Sequence, residues 1–188
     1  MSEFFLELFS EEVPPKLQIN ARKKLLLDFK NFFQQNNISI KGSADVYSTP
    51  NRIIVYFSNI SKEVFKKSQE LKGPSVNSKQ EALEGFLKSH DIKKSQVNTK
   101  TTEKGEFYFY IKPKQKLKTH DLLKKNIPII LDKINWNKSM KWGNNQMFWG
   151  RPLKSILAVF DDKKIEFNFY HLKASNSTYL DKDFEEKT

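Results

Sequence analysis

The stretch Glu3–Phe33, "EFFLELFSEEVPPKLQINARKKLLLDFKNFF", changes period midway, and that change decides the fold class. "EFFLELF" alternates loosely, as a strand does. "SEEVPP" breaks the pattern, and Pro14-Pro15 suit the first turn of a helix, where the missing N–H would have no partner anyway. Leu17, Ala21, Leu25, Phe29, Phe32 and Phe33 then recur at three- and four-residue steps, which predicts a long amphipathic helix over Pro15–Gln35.

Beyond it, "DVYSTPNRIIVYFSNI" holds Ile53–Phe57, apolar on both faces as in an interior strand. Pro50 marks a turn or a strand start. Val64–Leu71 favours a strand, and "KGPSVNS" is a loop. Ser78 with Glu81 predicts a capping box that opens a short helix carrying Ala82, Leu83, Phe86 and Leu87 on one face. "GEFYFYIK" (Gly105–Lys112) is the clearest strand, with Phe107, Phe109 and Ile111 on one side and Tyr108 and Tyr110 on the other. Thr119 is placed to cap a helix running through Leu122, Leu123, Ile127, Ile130, Leu131 and Ile134, in which Pro128 predicts a kink or a break. "PLKSILAVF" and "KKIEFNFYHL" read as two strands joined by "DDKK". Strands and helices alternate irregularly, so the class is α+β: mixed, largely antiparallel sheets packed with a long N-terminal helix and two or more shorter helices. The expected organisation is one region over 1–172, open to a subdomain break near 60–78, followed by a polar tail over 173–188, flexible or truncated.

The totals bound the function. A chain of 188 residues forms one domain or two small ones. With no cysteine, disulfides and cysteine metal sites are excluded, and a reducing cytoplasm is the natural compartment. "MSEFFLELFSEE" lacks the features of a signal peptide, and apolar runs such as "SILAVF" are too short to span a bilayer, so no membrane partner is expected. The net charge of +11 suggests an acidic partner such as a tRNA or another polyphosphate. A competing reading is compositional: 30 lysines stand against 3 arginines, the habit of an AT-rich genome. Against that background Arg22, Arg52 and Arg151 mark places where a planar fork is needed, for a phosphate or for an internal carboxylate. Both readings stay open.

Catalytic clusters are not visible. His90, His120 and His171 are far apart and lack metal-site spacing. No phosphate-cradling glycine loop occurs. Glu11 and Glu12 are adjacent, so on extended backbone they point apart and suit acid/base work poorly. No catalytic residue, metal or cofactor is expected on this chain. The densest unusual stretch is "KSMKWGNNQMFWGRP", Lys138–Pro152. Trp142, Phe148 and Trp149 could stack on unpaired bases beside phosphates held by Lys138, Lys141 and Arg151. The alternative, which is preferred, is a rigid bend whose tryptophans plug the core while Gly143 and Gly150 permit the turns. Buried rings with a basic rim would combine the two.

Several strings resemble, in order, the beta subunit of bacterial two-subunit glycyl-tRNA synthetase. "FSEEVPP" (Phe9–Pro15, with Glu11, Glu12, Pro14 and Pro15) is similar to the family's Gly-Thr-Glu-Glu-Leu-Pro-Pro, and "TPNRIIVYF", which holds Arg52, to its Thr-Pro-Arg-Arg strand. "KGP", with Gly73 and Pro74, resembles its Gly-Pro loop, with "EALEGFLKSHDI" as the helix behind it. "KGEFYF" fits the next strand. "KSMKWG" followed by "RPL" resembles the Lys-x-Met-Arg-Trp-Gly and Arg-Pro pair and brings in Gly143 and Pro152. Phe9, Ser10, Asn51 and Lys141 depart from the family pattern, and its Gly-His-Arg-Phe is absent after "SNSTY". The resemblance implies an N-terminal piece of a longer subunit in a cytoplasmic bacterial α2β2 assembly that joins glycine to tRNA(Gly) using ATP with Mg2+. It further implies catalysis on the alpha subunit, with that subunit, a second beta subunit and tRNA as partners.

Overall fold

The structure, a computed structural model, describes residues 2–66, 68–103, 105–142 and 146–180. The elements run β1 (Phe4–Ser10), α1 (Pro15–Gln35), β2 (Ala44–Thr49), β3 (Arg52–Phe57), β4 (Glu63–Lys66), β5 (Gln69–Ser75), α2 (Gln80–His90), β6 (Val97–Thr102) and β7 (Gly105–Lys112). They continue with β8 (Gln115–Lys118), α3 (Thr119–Asp132), β9 (Leu153–Phe160), β10 (Lys163–Lys164), β11 (Asn168–Phe169) and β12 (Leu172–Lys173). The class is α+β, as the pattern predicts. The chain divides into two compact units, residues 1–64 with 117–188, and residues 65–116.

The first unit is built on a five-stranded sheet of order β10-β9-β1-β3-β2, with every neighbour antiparallel. The period of two puts Phe4, Leu6 and Leu8 of β1 on one face with Ile53, Val55 and Phe57 of β3 and Ile156, Ala158 and Phe160 of β9. Helix α1 covers that face with the predicted stripe. Phe29 meets Phe4 at 5.2 Å, and Phe33 meets Phe57 at 5.0 Å between ring centroids. Helix α3 adds Leu123, Ile127, Ile130 and Leu131 to the same core.

The second unit has a three-stranded antiparallel sheet of order β5-β7-β6 with α2 against β5. Pro74 sits at the irregularity between Lys72 and Ser75, where a strand tolerates a missing N–H. At Gly73 a Cβ would lie 3.0 Å from the Phe86 ring of α2, so the helix approaches the strand too closely for a larger residue without adjustment.

Four local expectations are corrected. Ser78 does not cap α2: the helix begins at Gln80 after Lys79, with no side-chain cap. Thr119 is the first residue of α3 rather than its cap, and its hydroxyl donates to the Ser61 carbonyl at 2.6 Å. Of the kink or break that Pro128 predicts, the break does not occur: α3 runs on through it to Asp132, and the carbonyl it leaves without an N–H, on Lys124, belongs to an exposed residue. "KKIEFNFYHL" is not one strand. Tyr170 adopts φ 51° and turns the chain, so Asn168–Phe169 folds back on Leu172–Lys173. The expected "DDKK" turn is a two-residue hairpin loop with Asp161 at φ 52° and Asp162 at φ 60°, the left-handed pair that suits the strand twist.

Candidate functional site

Three strings far apart in sequence meet at one end of the main sheet. The Ser10 N–H donates to the Asn51 carbonyl at 2.8 Å, and the Val13 N–H to the Pro50 carbonyl at 2.7 Å. The Glu11 N–H donates to the Pro152 carbonyl at 2.9 Å, and Lys154 Nζ reaches the Glu11 carboxylate at 2.6 Å. Pro14 then stands at the N-cap of α1 and Pro15 in its first turn, with the Gln18 amide donating to the Val13 carbonyl at 2.6 Å. "SEEVPP", "TPNR" and "RPL" thus form one hydrogen-bonded rim. Glu12 is exposed on it.

Arg52 lies beside the rim with its fork turned inward. Its Nη1 donates to Glu7 Oε1 and to Thr178 Oγ1, each at 2.8 Å, and its Nη2 to the carbonyl oxygens of Tyr179 and Leu180. The guanidinium carbon is 4.5 Å from the centroid of the Phe9 ring, on which Tyr179 stacks at 5.5 Å. Of the two roles open to this arginine, it takes the internal one. Segment 174–180 is held here as well: Ala174 is buried, and Ser175 bridges to Leu157 in parallel.

The stretch around Lys138–Pro152 divides between core and surface. Trp149 is 2% exposed and packs at 5.0 Å from Trp136 and 5.7 Å from Phe169. Trp142 is half-buried, edge-on to His171, and Phe148 is 64% exposed. Met140 and Trp149 exchange backbone hydrogen bonds of 2.8 and 3.2 Å, which ties the two limbs of the loop together. At Gly150 a Cβ would sit 2.4 Å from the Trp136 ring. Lys138 and Lys141 are exposed, while Arg151 is half-buried and donates to the Gly150 carbonyl at 3.2 Å. Gly143 lies outside the described residues.

The other face of the main sheet holds a cavity of about 420 Å³ lined by Glu3, Phe5, Tyr56, Val159, Asp161 and Asp162. Its carboxylates make it a poor seat for a phosphate. Tyr56 donates to Glu3 at 2.8 Å, and that bond, with burial and the carboxylate charge, holds the phenol above its ordinary pKa. Tyr170 is raised in the same way by its bond to Asp132, whereas Lys164 beside Glu166 lowers that carboxyl. Among the described residues no group of three or more histidines and carboxylates is arranged to hold a metal ion, and no helix is long and apolar enough to cross a membrane.

The partners of Arg52 were beyond reach of the sequence: Thr178 lies 126 residues away, and nothing in its surroundings marks it.

Residues 4–188 match the family described as "Glycyl-tRNA synthetase beta subunit". Similar proteins named "Glycine--tRNA ligase beta subunit" include one from Rickettsia bellii (strain OSU 85-389), 38% identical over 95% of this chain and 27% of its own length. Those of Rickettsia prowazekii (37% over 95%, 27% of its length) and Rickettsia canadensis (38% over 95%, 26% of its length) are comparable. The chain therefore spans about a quarter of these relatives. On the match of 4–188, and with three of the family-like strings joined in one rim, the chain belongs to the glycyl-tRNA synthetase beta subunit family.

Proposed function

We propose that this chain forms the N-terminal part of the beta subunit of a cytoplasmic glycine–tRNA ligase, where it helps hold tRNA(Gly) for aminoacylation on the alpha subunit. The observation that carries this reading is the similarity to beta-subunit relatives along 95% of the chain. The net charge of +11 supports the tRNA role, because phosphate neutralisation supplies most sequence-independent affinity for nucleic acid. Glycine activation with ATP and Mg2+ belongs, in this reading, to the alpha subunit, with a second beta subunit completing the assembly. Of the RNA-contact candidates, Lys138, Lys141, Trp142 and Arg151 are favoured over Arg52, whose Nη1 and Nη2 are already engaged.

The test is the triple change Lys138→Glu, Lys141→Glu and Arg151→Glu in the assembled α2β2 enzyme, with tRNA affinity followed over a salt series. Weaker binding is expected, with the log–log salt slope smaller by about one for each phosphate no longer neutralised. Unaltered affinity and slope would reject a role for these three residues in holding tRNA.

A second reading has one observation in its favour: Phe148 is 64% exposed beside the buried Trp149, which suits an interface with the alpha subunit or with the rest of beta. A pull-down with separately made alpha subunit, comparing the chain with its Phe148→Ser variant, decides it. Capture that the variant loses supports the scaffold role.

A further inference from the structure

The second unit presents lysines laid across phenylalanines on one face of its sheet. Along β7, Phe107, Phe109 and Ile111 share a side. Lys72 of β5 is opposite Phe109, and Lys100 of β6 is opposite Phe107. Both lysines reach diagonally. Lys72 Nζ stands 3.5 Å from the Phe107 centroid, and Lys100 Nζ stands 5.5 Å from that of Phe109. Ile111 extends the row at 54% exposure, and in the same unit Lys114 Nζ lies 4.6 Å from the ring of Phe65, itself 53% exposed. Lys72 and Lys100 are exposed, whereas α2 packs against β5 at Gly73. The unit holds twelve lysines against six carboxylates in residues 65–116, so over half of the net +11 sits on little more than a quarter of the chain.

We infer that this face is a stacking platform for unpaired nucleotides of an RNA. Phe107 is partly exposed and offers its face to one base, with Ile111 exposed further along the same side, while Phe109 is buried between them and supports the site. A base face on an aromatic ring is a stronger contact than an exposed ammonium over the same ring. An incoming base therefore displaces Lys72 from the Phe107 ring, and the freed ammonium moves to the adjoining phosphate, with Lys100 beside it for a second phosphate. One carboxylate on this side opposes this: Glu70 pairs with Lys100 at 2.7 Å and must release it, whereas Glu106, next to Phe107 on β7, falls on the other side of the sheet. A duplex hides its base faces and gains only the lysines. An acidic peptide likewise gains nothing from the rings. The choice of RNA rests on the tRNA-holding reading above; the charge and the rings define the site.

The test uses the 188-residue chain and a fluorescein-labelled ten-nucleotide oligouridine, with an RNA duplex of equal phosphate count and polyglutamate as competitors. Phe107→Leu keeps apolar bulk and removes the stacking face, while Lys72→Gln with Lys100→Gln leaves the sheet interior untouched, and circular dichroism checks the fold of both. The proposal expects oligouridine to bind more tightly than the duplex. Phe107→Leu should lower affinity roughly tenfold, the lysine pair should flatten the salt slope, and the Lys138/Lys141/Arg151 variant should bind oligouridine as before. Duplex or polyglutamate competing as well as oligouridine overturns it, as does a folded platform variant with undiminished binding. Oligouridine binding abolished only in the Lys138/Lys141/Arg151 variant also overturns it while leaving the tRNA reading standing. Oligouridine binding that depends on Phe107 alongside unchanged tRNA affinity of the platform-variant α2β2 enzyme upholds the site as an RNA site and rejects its use in holding tRNA, the tRNA reading itself being decided by the Lys138/Lys141/Arg151 variant.

Discussion

Glu7 is 5% exposed on the middle strand of the main sheet, and Arg52 with Thr178 makes its charge tolerable there. Arg52→Ala would leave a buried carboxylate without its cation, a change that costs about 3–5 kcal/mol. Arg52→Lys keeps the charge but loses the fork that serves Glu7, Thr178 and the 179–180 carbonyls together, so a smaller loss is expected. Urea denaturation of the two variants checks the order, and equal losses would remove the fork from the explanation. Gly150 is constrained by a neighbour rather than by its own dihedrals. A Cβ there meets the Trp136 ring at 2.4 Å, and Trp149 packs on that ring, so Gly150→Ala should destabilise by roughly 1–3 kcal/mol in the same measurement. Tyr56 supplies a pH signature. Its bond to Glu3 raises the folded-state pKa, so the interaction stabilises fully below the ordinary tyrosine value of about 10. That stabilisation fades as pH rises through the higher folded value. An NMR titration of the ring should show Tyr56 ionising later than an ordinary tyrosine, and Glu3→Gln should bring it back.

At the scale of elements, hydrophobic period told more than local polar chemistry. Helix α1 runs over the residues its stripe predicts, because six apolar positions at helical spacing leave one solution once a sheet face needs covering. Ser78 and Thr119 looked like caps by residue type, yet neither acts as one. A cap depends on the backbone reaching the right geometry one residue before the helix, and sequence does not show that. The two positions should therefore respond in opposite ways. Thr119 is fully buried, its hydroxyl donating to the Ser61 carbonyl and its N–H to the Lys62 carbonyl, so Thr119→Val removes a part-buried hydrogen bond and should cost about 1 kcal/mol. Ser78→Ala should be within about 0.5 kcal/mol of the parent chain, since α2 takes no side-chain cap. Thermal melts of both resolve it; a large loss at Ser78 alone would restore the capping box. The meeting of Glu11 with Pro152 and of Val13 with Pro50 was not legible either, because strand order follows from tertiary pairing that no single segment encodes. Likewise, the alternation of "GEFYFYIK" was plain, but the lysines over its rings come from two other strands whose register the sequence does not state.

On the scale of the molecule, apolar burial and charge are distributed unequally. Among the described residues Leu83 and Phe109 are the only buried hydrophobic side chains in the unit of residues 65–116, whereas the other unit holds a continuous core from Phe4 to Ala174. A unit of some fifty residues with so small a core has little to set against its chain entropy, and its lysine excess adds self-repulsion. It should be the part that opens first. Native-state hydrogen exchange on the 188-residue chain should show the amides of β5, β6 and β7 exchanging at least about a hundredfold faster than those paired between β1 and β3. That difference corresponds to about 3 kcal/mol in opening free energy. Adding salt should narrow the gap by screening the lysines. Equal protection in the two sheets would mean that the chain opens only as a whole, and the small core would then fail to account for the stability of this unit.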